Sequence, residues 1–139
     1  MRRLLPAVLL AAALAGCGDR TPSDEEQIRT LLQTFAKATE RHDYQTLCDK
    51  VFSPKLLTGI QQIGLPCEVA LRQSLGEVES PHMTVGQVVV KGDRAAAQIR
   101  TSAEGQEPSS DTLELQRIEG AWRVSALGGG AGASPSPTP

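Results

Sequence analysis

TVGQVVVKGDRAAAQIRT, residues 84–101, is where the sequence changes its period. Thr84 to Lys91 is rich in valine, and Gly92-Asp93 has the composition of a two-residue turn. In Arg94 to Thr101 the residues Ala95, Ala97 and Ile99 alternate with Ala96, Gln98 and Arg100. A period of two sends alternate side chains to opposite faces of a strand, so the stretch reads as a β-hairpin with one face buried.

Downstream the same grammar continues. A looser connection through Gly105 and Pro108 leads to a strand over Thr112 to Ile118 with Leu113 and Leu115 inward. Glu119-Gly120 then turns into a last strand with Trp122 and Val124 inward. Upstream the period is helical. Ser23 and Glu26 have the spacing of a capping box, and Ile28, Leu31, Leu32 and Phe35 follow at helical intervals, predicting an amphipathic helix to about Arg41. Breaks at Ser53-Pro54, Gly64 and Pro66 divide the next segment into short helices: Tyr44 to Phe52, Pro54 to Ile63 and Pro66 to Leu75. Leu47, Val51, Leu56, Leu57, Ile60, Leu71 and Leu75 are their expected inward residues. Helices first and strands afterwards argue for an α+β domain with an antiparallel sheet packed on the long helix.

The ends are of another kind. Arg2 and Arg3 precede an apolar run from Leu4 to Leu14 and then Ala15-Gly16-Cys17, which is the layout of a signal peptide. The run is shorter than the roughly 20 residues that cross a bilayer core, so it serves export rather than permanent anchoring. Leu14-Ala15-Gly16-Cys17 resembles the lipobox of bacterial lipoproteins, which implies lipidation of Cys17 and attachment to the outer face of the cell membrane. The expected division is 1–16 signal peptide, 17–23 lipidated tether, 24–127 folded domain, and 128–139 a tail of Gly, Ala, Ser, Pro and Thr that reads as disordered.

Without its first 16 residues the chain has twelve basic against sixteen acidic side chains, a formal charge of −4. With only Phe35, Phe52, Tyr44 and Trp122 as aromatics, it lacks the basic face and stacking platform that nucleic-acid binding requires. No phosphate loop, dinucleotide fingerprint or zinc-type cysteine spacing is present, so neither cofactor nor metal is expected.

The element order, ending in Leu115-Gln116-Arg117-Ile118-Glu119-Gly120-Ala121-Trp122-Arg123-Val124, resembles the nuclear transport factor 2-like (SnoaL-like) superfamily, above all its small secreted and lipoprotein members in actinobacteria. Thr30 to Phe52 fits the same pattern. The resemblance implies a curved antiparallel sheet that closes with the N-terminal helices into a cone around an apolar cavity. Phe35, Val85, Val89, Ile99, Leu113 and Trp122 are the expected lining. Enzymes of the superfamily, such as the steroid isomerases, place a tyrosine on the first helix and an aspartate beyond the second. Here the matching residues are Phe35, which has no hydroxyl, and the loop Phe52-Ser53-Pro54-Lys55-Leu56-Leu57, which has no carboxylate. Such chemistry needs a hydroxyl to polarise a carbonyl and a base to take the proton.

Other candidates are read against plainer roles. His42 suits the negative end of the first helix and Asp43 suits a cap for the next, rather than an acid–base cluster with Tyr44. His82 beside Pro81 reads as solvated, as do Glu68, Glu77, Glu79 and Glu104. Ser53 and Ser74 have no His and Asp at recognisable spacing. With Cys17 lipidated, Cys48 and Cys67 are the remaining thiols of an exported domain. A disulfide is the leading expectation, two buried thiols the alternative, and a catalytic thiol the least favoured.

Three functions follow: a non-catalytic tethered domain that binds a small apolar ligand or an envelope protein; an isomerase, dehydratase or cyclase with a rearranged site that uses Tyr44 or His82; and a purely structural accessory protein. Pairing of two copies through the exposed sheet face would involve Arg94, Gln98, Arg100, Glu114 and Gln116. Replacing Cys17 by alanine is expected to abolish incorporation of labelled fatty acid and to move the protein from the membrane to the soluble fraction; retention at the membrane would contradict the anchor.

Overall fold

A computed structural model describes residue 18 and residues 20–128. The expected signal peptide, Cys17 and all of the expected tail but Gly128 lie outside the described residues.

Helix α1, Asp24–Glu40, starts at a complete capping box: the Ser23 hydroxyl accepts from the Glu26 N–H at 3.2 Å, and the Glu26 carboxylate accepts from the Ser23 N–H at 2.7 Å. Its buried stripe is Ile28, Leu32, Phe35 and Ala38. Asp43 caps the short α2, Tyr44–Thr46, which runs on as one π-helical turn, Leu47–Val51. Ser53, fully buried, caps α3, Pro54–Gln61, by accepting from the Leu56 N–H at 3.1 Å. Helix α4 covers Cys67–Leu75. Cys48 and Cys67 form a disulfide across a separation of 19 residues, with Cα atoms 6.1 Å apart.

Strands β1 (His82–Lys91), β2 (Arg94–Ala103), β3 (Gln106–Ile118) and β4 (Ala121–Ala126) form an antiparallel meander in the order β1-β2-β3-β4. The inner face carries Ala95, Ala97 and Ile99 from β2, Leu113 and Leu115 from β3, and Trp122 and Val124 from β4, all buried against the α1 stripe. Phe52 makes an isolated parallel bridge to Val124, and the Ser53 N–H donates to the Val124 carbonyl at 2.9 Å, which ties the helical segment to the sheet edge. Among the described residues every buried core residue lies between Ile28 and Val124.

Valine run and bulge decide the faces of β1. Val85 pairs with Ile99 but Val88 pairs with Ala97, so Gly86 and Gln87 form a β-bulge. An extra residue reverses the alternation beyond it. Val88 and Val90 therefore join Met83 and Val85 against the core, whereas Val89, expected in the lining, is 42% exposed. The bulge frees the Gly86 carbonyl from the ladder, and it accepts from Arg29 Nη2 on α1 at 3.0 Å.

One end of the domain is closed by a charged cluster. Asp24 Oδ1 accepts from Arg117 Nη1 at 2.7 Å and from the Trp122 indole N–H at 3.2 Å. The Arg117 guanidinium stacks 5.0 Å from the Trp122 ring centroid and also donates to Asp93 and to the Gly92 carbonyl. This is a correction to the expected lining: Trp122 is buried at the closed end, because a buried indole N–H requires an acceptor and Asp24 provides it.

Two stability predictions follow. Replacing Cys48 and Cys67 together by serine is expected to cost about 3 kcal/mol in urea denaturation, the loop-closure value for a bridge of this span. Asp24→Ala, which leaves the buried indole N–H without its partner, is expected to cost about 2 kcal/mol, as for hydrogen bonds to charged groups; an unchanged midpoint would remove the cluster from the stability account.

Candidate functional site

The inner face of the sheet changes character along its length. On β2 it runs Ala95, Ala97, Ile99, Thr101, and on β3 the paired residues run Leu115, Leu113, Asp111, Ser109. The apolar half packs on α1. At the other half a cavity of about 530 Å³ lies between the sheet and helices α1, α3 and α4. Helix α1 contributes Phe35, Ala36 and Thr39, α3 and its end contribute Ile60 and Ile63, and α4 contributes Ala70, Leu71, Ser74 and Leu75. Phe35 and Phe52 meet edge to face at 5.8 Å and both border the cavity. Exposed Ile63 and Leu127 are apolar residues of its rim.

Of the residues expected to line a cavity, Phe35, Ile99 and Leu113 do so. Val85, Val89 and Trp122 do not; Val85 packs partly against the core further along β1. A hollow of about 650 Å³ along β1, β2 and β3 is larger but more open. Its lining combines the exposed residues Thr84, Gln98, Arg100, Ser110 and Thr112 with Val85, Ile99 and Asp111, so it is an open groove in the surface and not an enclosed site.

Polar side chains also border the cavity, among them Thr101, Ser109 and Asp111. Thr101 and Ser109 hydroxyls are 2.9 Å apart, and Ser109 Oγ donates to Asp111 Oδ2 at 3.1 Å. Asp111 Oδ1 is shielded from solvent and has no hydrogen-bond partner among the described residues. Sequence reasoning missed this group by starting the strand at Thr112. Pro108 reads as a break, but β4 pairs only from Glu114 onward, so β3 is an edge there and tolerates a proline without an N–H. The alternation Ser109, Asp111, Leu113, Leu115 was the available signal.

His42 and Tyr44 rings lie 5.9 Å apart, with His42 exposed and Tyr44 buried in the core, and neither borders the cavity. His82 borders it from an exposed position. Among the described residues no group of three or more His, Cys, Asp or Glu could hold a metal ion, and no helix is long and apolar enough to cross a membrane.

Known structures share this architecture. An NTF2-like protein of unknown function from Silicibacter pomeroyi is 19% identical, with a TM-score of 0.54 over 73% of this chain and 89% of that one. Another from Shewanella baltica is 17% identical, with a TM-score of 0.54 over 78% and 94%. The fold is nuclear transport factor 2-like. TsrD from Streptomyces laurentii is also similar, at 18% identity and a TM-score of 0.52 over 73% and 86%. No protein-family model and no curated protein matches the sequence. At these identities the likeness extends to the α+β fold, helices packed on a four-stranded antiparallel sheet.

Helix caps carry the displaced carboxyl groups. The Ser23 N–H, then its hydroxyl, hold Glu26 below its ordinary pKa of 4.5, and the Thr46 N–H, then its hydroxyl, hold Asp43 below 3.8. A carboxyl depressed in the folded state contributes stability above its unfolded pKa and loses it as pH falls through the folded value. Stability is therefore expected to decline from about pH 4.5 downward, and the Glu26→Gln, Asp43→Asn double variant should show a shallower decline in urea melts at stepped pH.

Proposed function

We propose that the protein is a lipoprotein anchored by Cys17 at the extracytoplasmic face of the cell membrane, and that its NTF2-like domain binds a small apolar ligand without catalysis. The cavity of about 530 Å³, walled largely by aliphatic and aromatic side chains, carries this reading. Tyr44, a residue expected to serve an isomerase, dehydratase or cyclase, is committed to the core, and His82 stands exposed at the rim.

The proposed anchor bears on how the ligand would be met. The tether joins α1 at the end closed by Asp24, Arg117 and Trp122, while Phe35, Ala36 and Thr39 border the cavity near the other end of that helix. Helix α1 has 17 residues, about 25 Å at 1.5 Å each. An anchor at that end would leave the cavity facing away from the lipid surface. An envelope protein partner would meet the Ile63 and Leu127 rim, and a second copy would meet the polar outer face around Arg94, Gln98, Arg100 and Glu114.

Thermal unfolding of the chain from residue 18 onward, screened against isoprenoids, sterol-like compounds and envelope lipids, tests the reading. A ligand of the folded state raises stability by about 2.7 kcal/mol at one hundred times its Kd. Ser74→Trp, at an exposed lining position, is expected to remove the shift without unfolding the protein. A midpoint indifferent to every compound would overturn it.

A further inference from the structure

The polar half of the cavity has a fixed hydrogen-bond direction. An ionised carboxylate only accepts, so the one proton of Ser109 goes to Asp111 Oδ2. Ser109 then has only lone pairs to offer Thr101, and the Thr101 hydroxyl must be the donor of the 2.9 Å contact. Thr101, Ser109 and Asp111 therefore turn only acceptors toward a ligand. The other two threonine and serine hydroxyls on the helical walls are spent the same way: Thr39 donates to the Phe35 carbonyl and Ser74 to the Ala70 carbonyl, each at 2.9 Å.

Charge acts in the same sense. Asp111 and Glu107 border the cavity, and no lysine or arginine does among the described residues. Ser102, Gln106 and His82 are the lining side chains left with a donor to offer, and Gln106 and His82 are exposed. An anionic head group would find two carboxylates and no guanidinium or ammonium to neutralise it. Asp111 Oδ1, meanwhile, is removed from water with no donor, an arrangement that costs free energy until one arrives. The aspartate χ2 torsion is broad and nearly two-fold, so a modest rotation presents either oxygen to the cavity.

We infer that the cavity selects an apolar molecule bearing a hydrogen-bond donor, a hydroxyl or more favourably a protonated amine, held by the Asp111 carboxylate, and rejects carboxylates and phosphates of the same apolar body. This rests on the ligand-binding reading above and names the chemistry of its ligand. Asp111 is the anchor, Ser109 and Thr101 orient it, and the aliphatic wall of α3 and α4 takes the body.

The test is displacement of the neutral dye Nile red from the chain starting at residue 18 by decylamine, decanol and decanoate, each below its micellar concentration at neutral pH. The expected order is amine, then alcohol, then acid, with amine ahead of acid by about tenfold or more, as for a hydrogen bond to a charged group. Asp111→Asn should bring amine and acid to within about threefold while Nile red still binds, since the amide carries no charge. Decanoate displacing the dye as well as decylamine overturns the donor selectivity and leaves the cavity reading intact, as does an unchanged order in a folded Asp111→Asn protein. Failure of Nile red to bind overturns both. The series on the unsubstituted chain decides the matter even where the variant does not fold.

Discussion

Asp24 fixes the frame. A single carboxylate oxygen receives the Arg117 guanidinium and the Trp122 indole N–H, and through Arg117 it reaches the β1–β2 turn at Gly92 and Asp93. Three chain segments far apart in sequence, α1, the β1–β2 turn and the β3–β4 hairpin, thereby meet at the first turn of α1. Negative charge is favoured at a helix N-terminus, so the clamp and the helix dipole act together. Because α1 is held at this end, Phe35, Ala36 and Thr39 near its other end are left to line the cavity with α3 and α4. The enclosed end and the hollow end are two consequences of the same anchorage.

The walls of the cavity are held by different means. Helix α3 has no fully buried residue, and its Leu56, Leu57 and Ile60 pack only partly against the core. Helix α4 is secured at its first residue by the bond from Cys67 to Cys48, which sits in the π-helical turn beneath. A segment with so little burial of its own has a low cost of local opening, and a covalent tie there does more for the cavity than one placed within the sheet. The ligand-binding reading and the disulfide thus depend on the same stretch, residues 54–75.

The sheet supplies chemistry through its parity. The bulge at Gly86 and Gln87 assigns Val88 and Val90 to the core and Val89 to solvent. Unbroken register between β2 and β3 from Arg94 to Thr101 sets Thr101 opposite Ser109 and Ile99 opposite Asp111. The inner face therefore passes from alanine and leucine to hydroxyls and a carboxylate in the space of four pairs. An apolar body with one donor group matches that gradient; a wholly apolar ligand would leave Asp111 as it is.

Much of this was legible in the residues. Capping signals at Ser23 and Asp43 act over three residues, so they depend on no distant contact and specify the helix starts locally. Alternation in Ala95 to Ile99 and in Leu113 to Val124 likewise decided which side of the sheet is buried, and with the order of elements it determined the α+β class and pointed to the NTF2-like architecture. Tertiary structure alone decided the rest. A bulge is a mismatch between two strands and has no signature within one, so Val89 was assigned to the wrong face. Trp122 was drawn away from the cavity by an acceptor ninety-eight residues earlier in the chain. Asp111 became a candidate anchor only when pairing with β2 carried β3 past Pro108, because a proline breaks a strand in sequence but not at an edge whose N–H needs no partner.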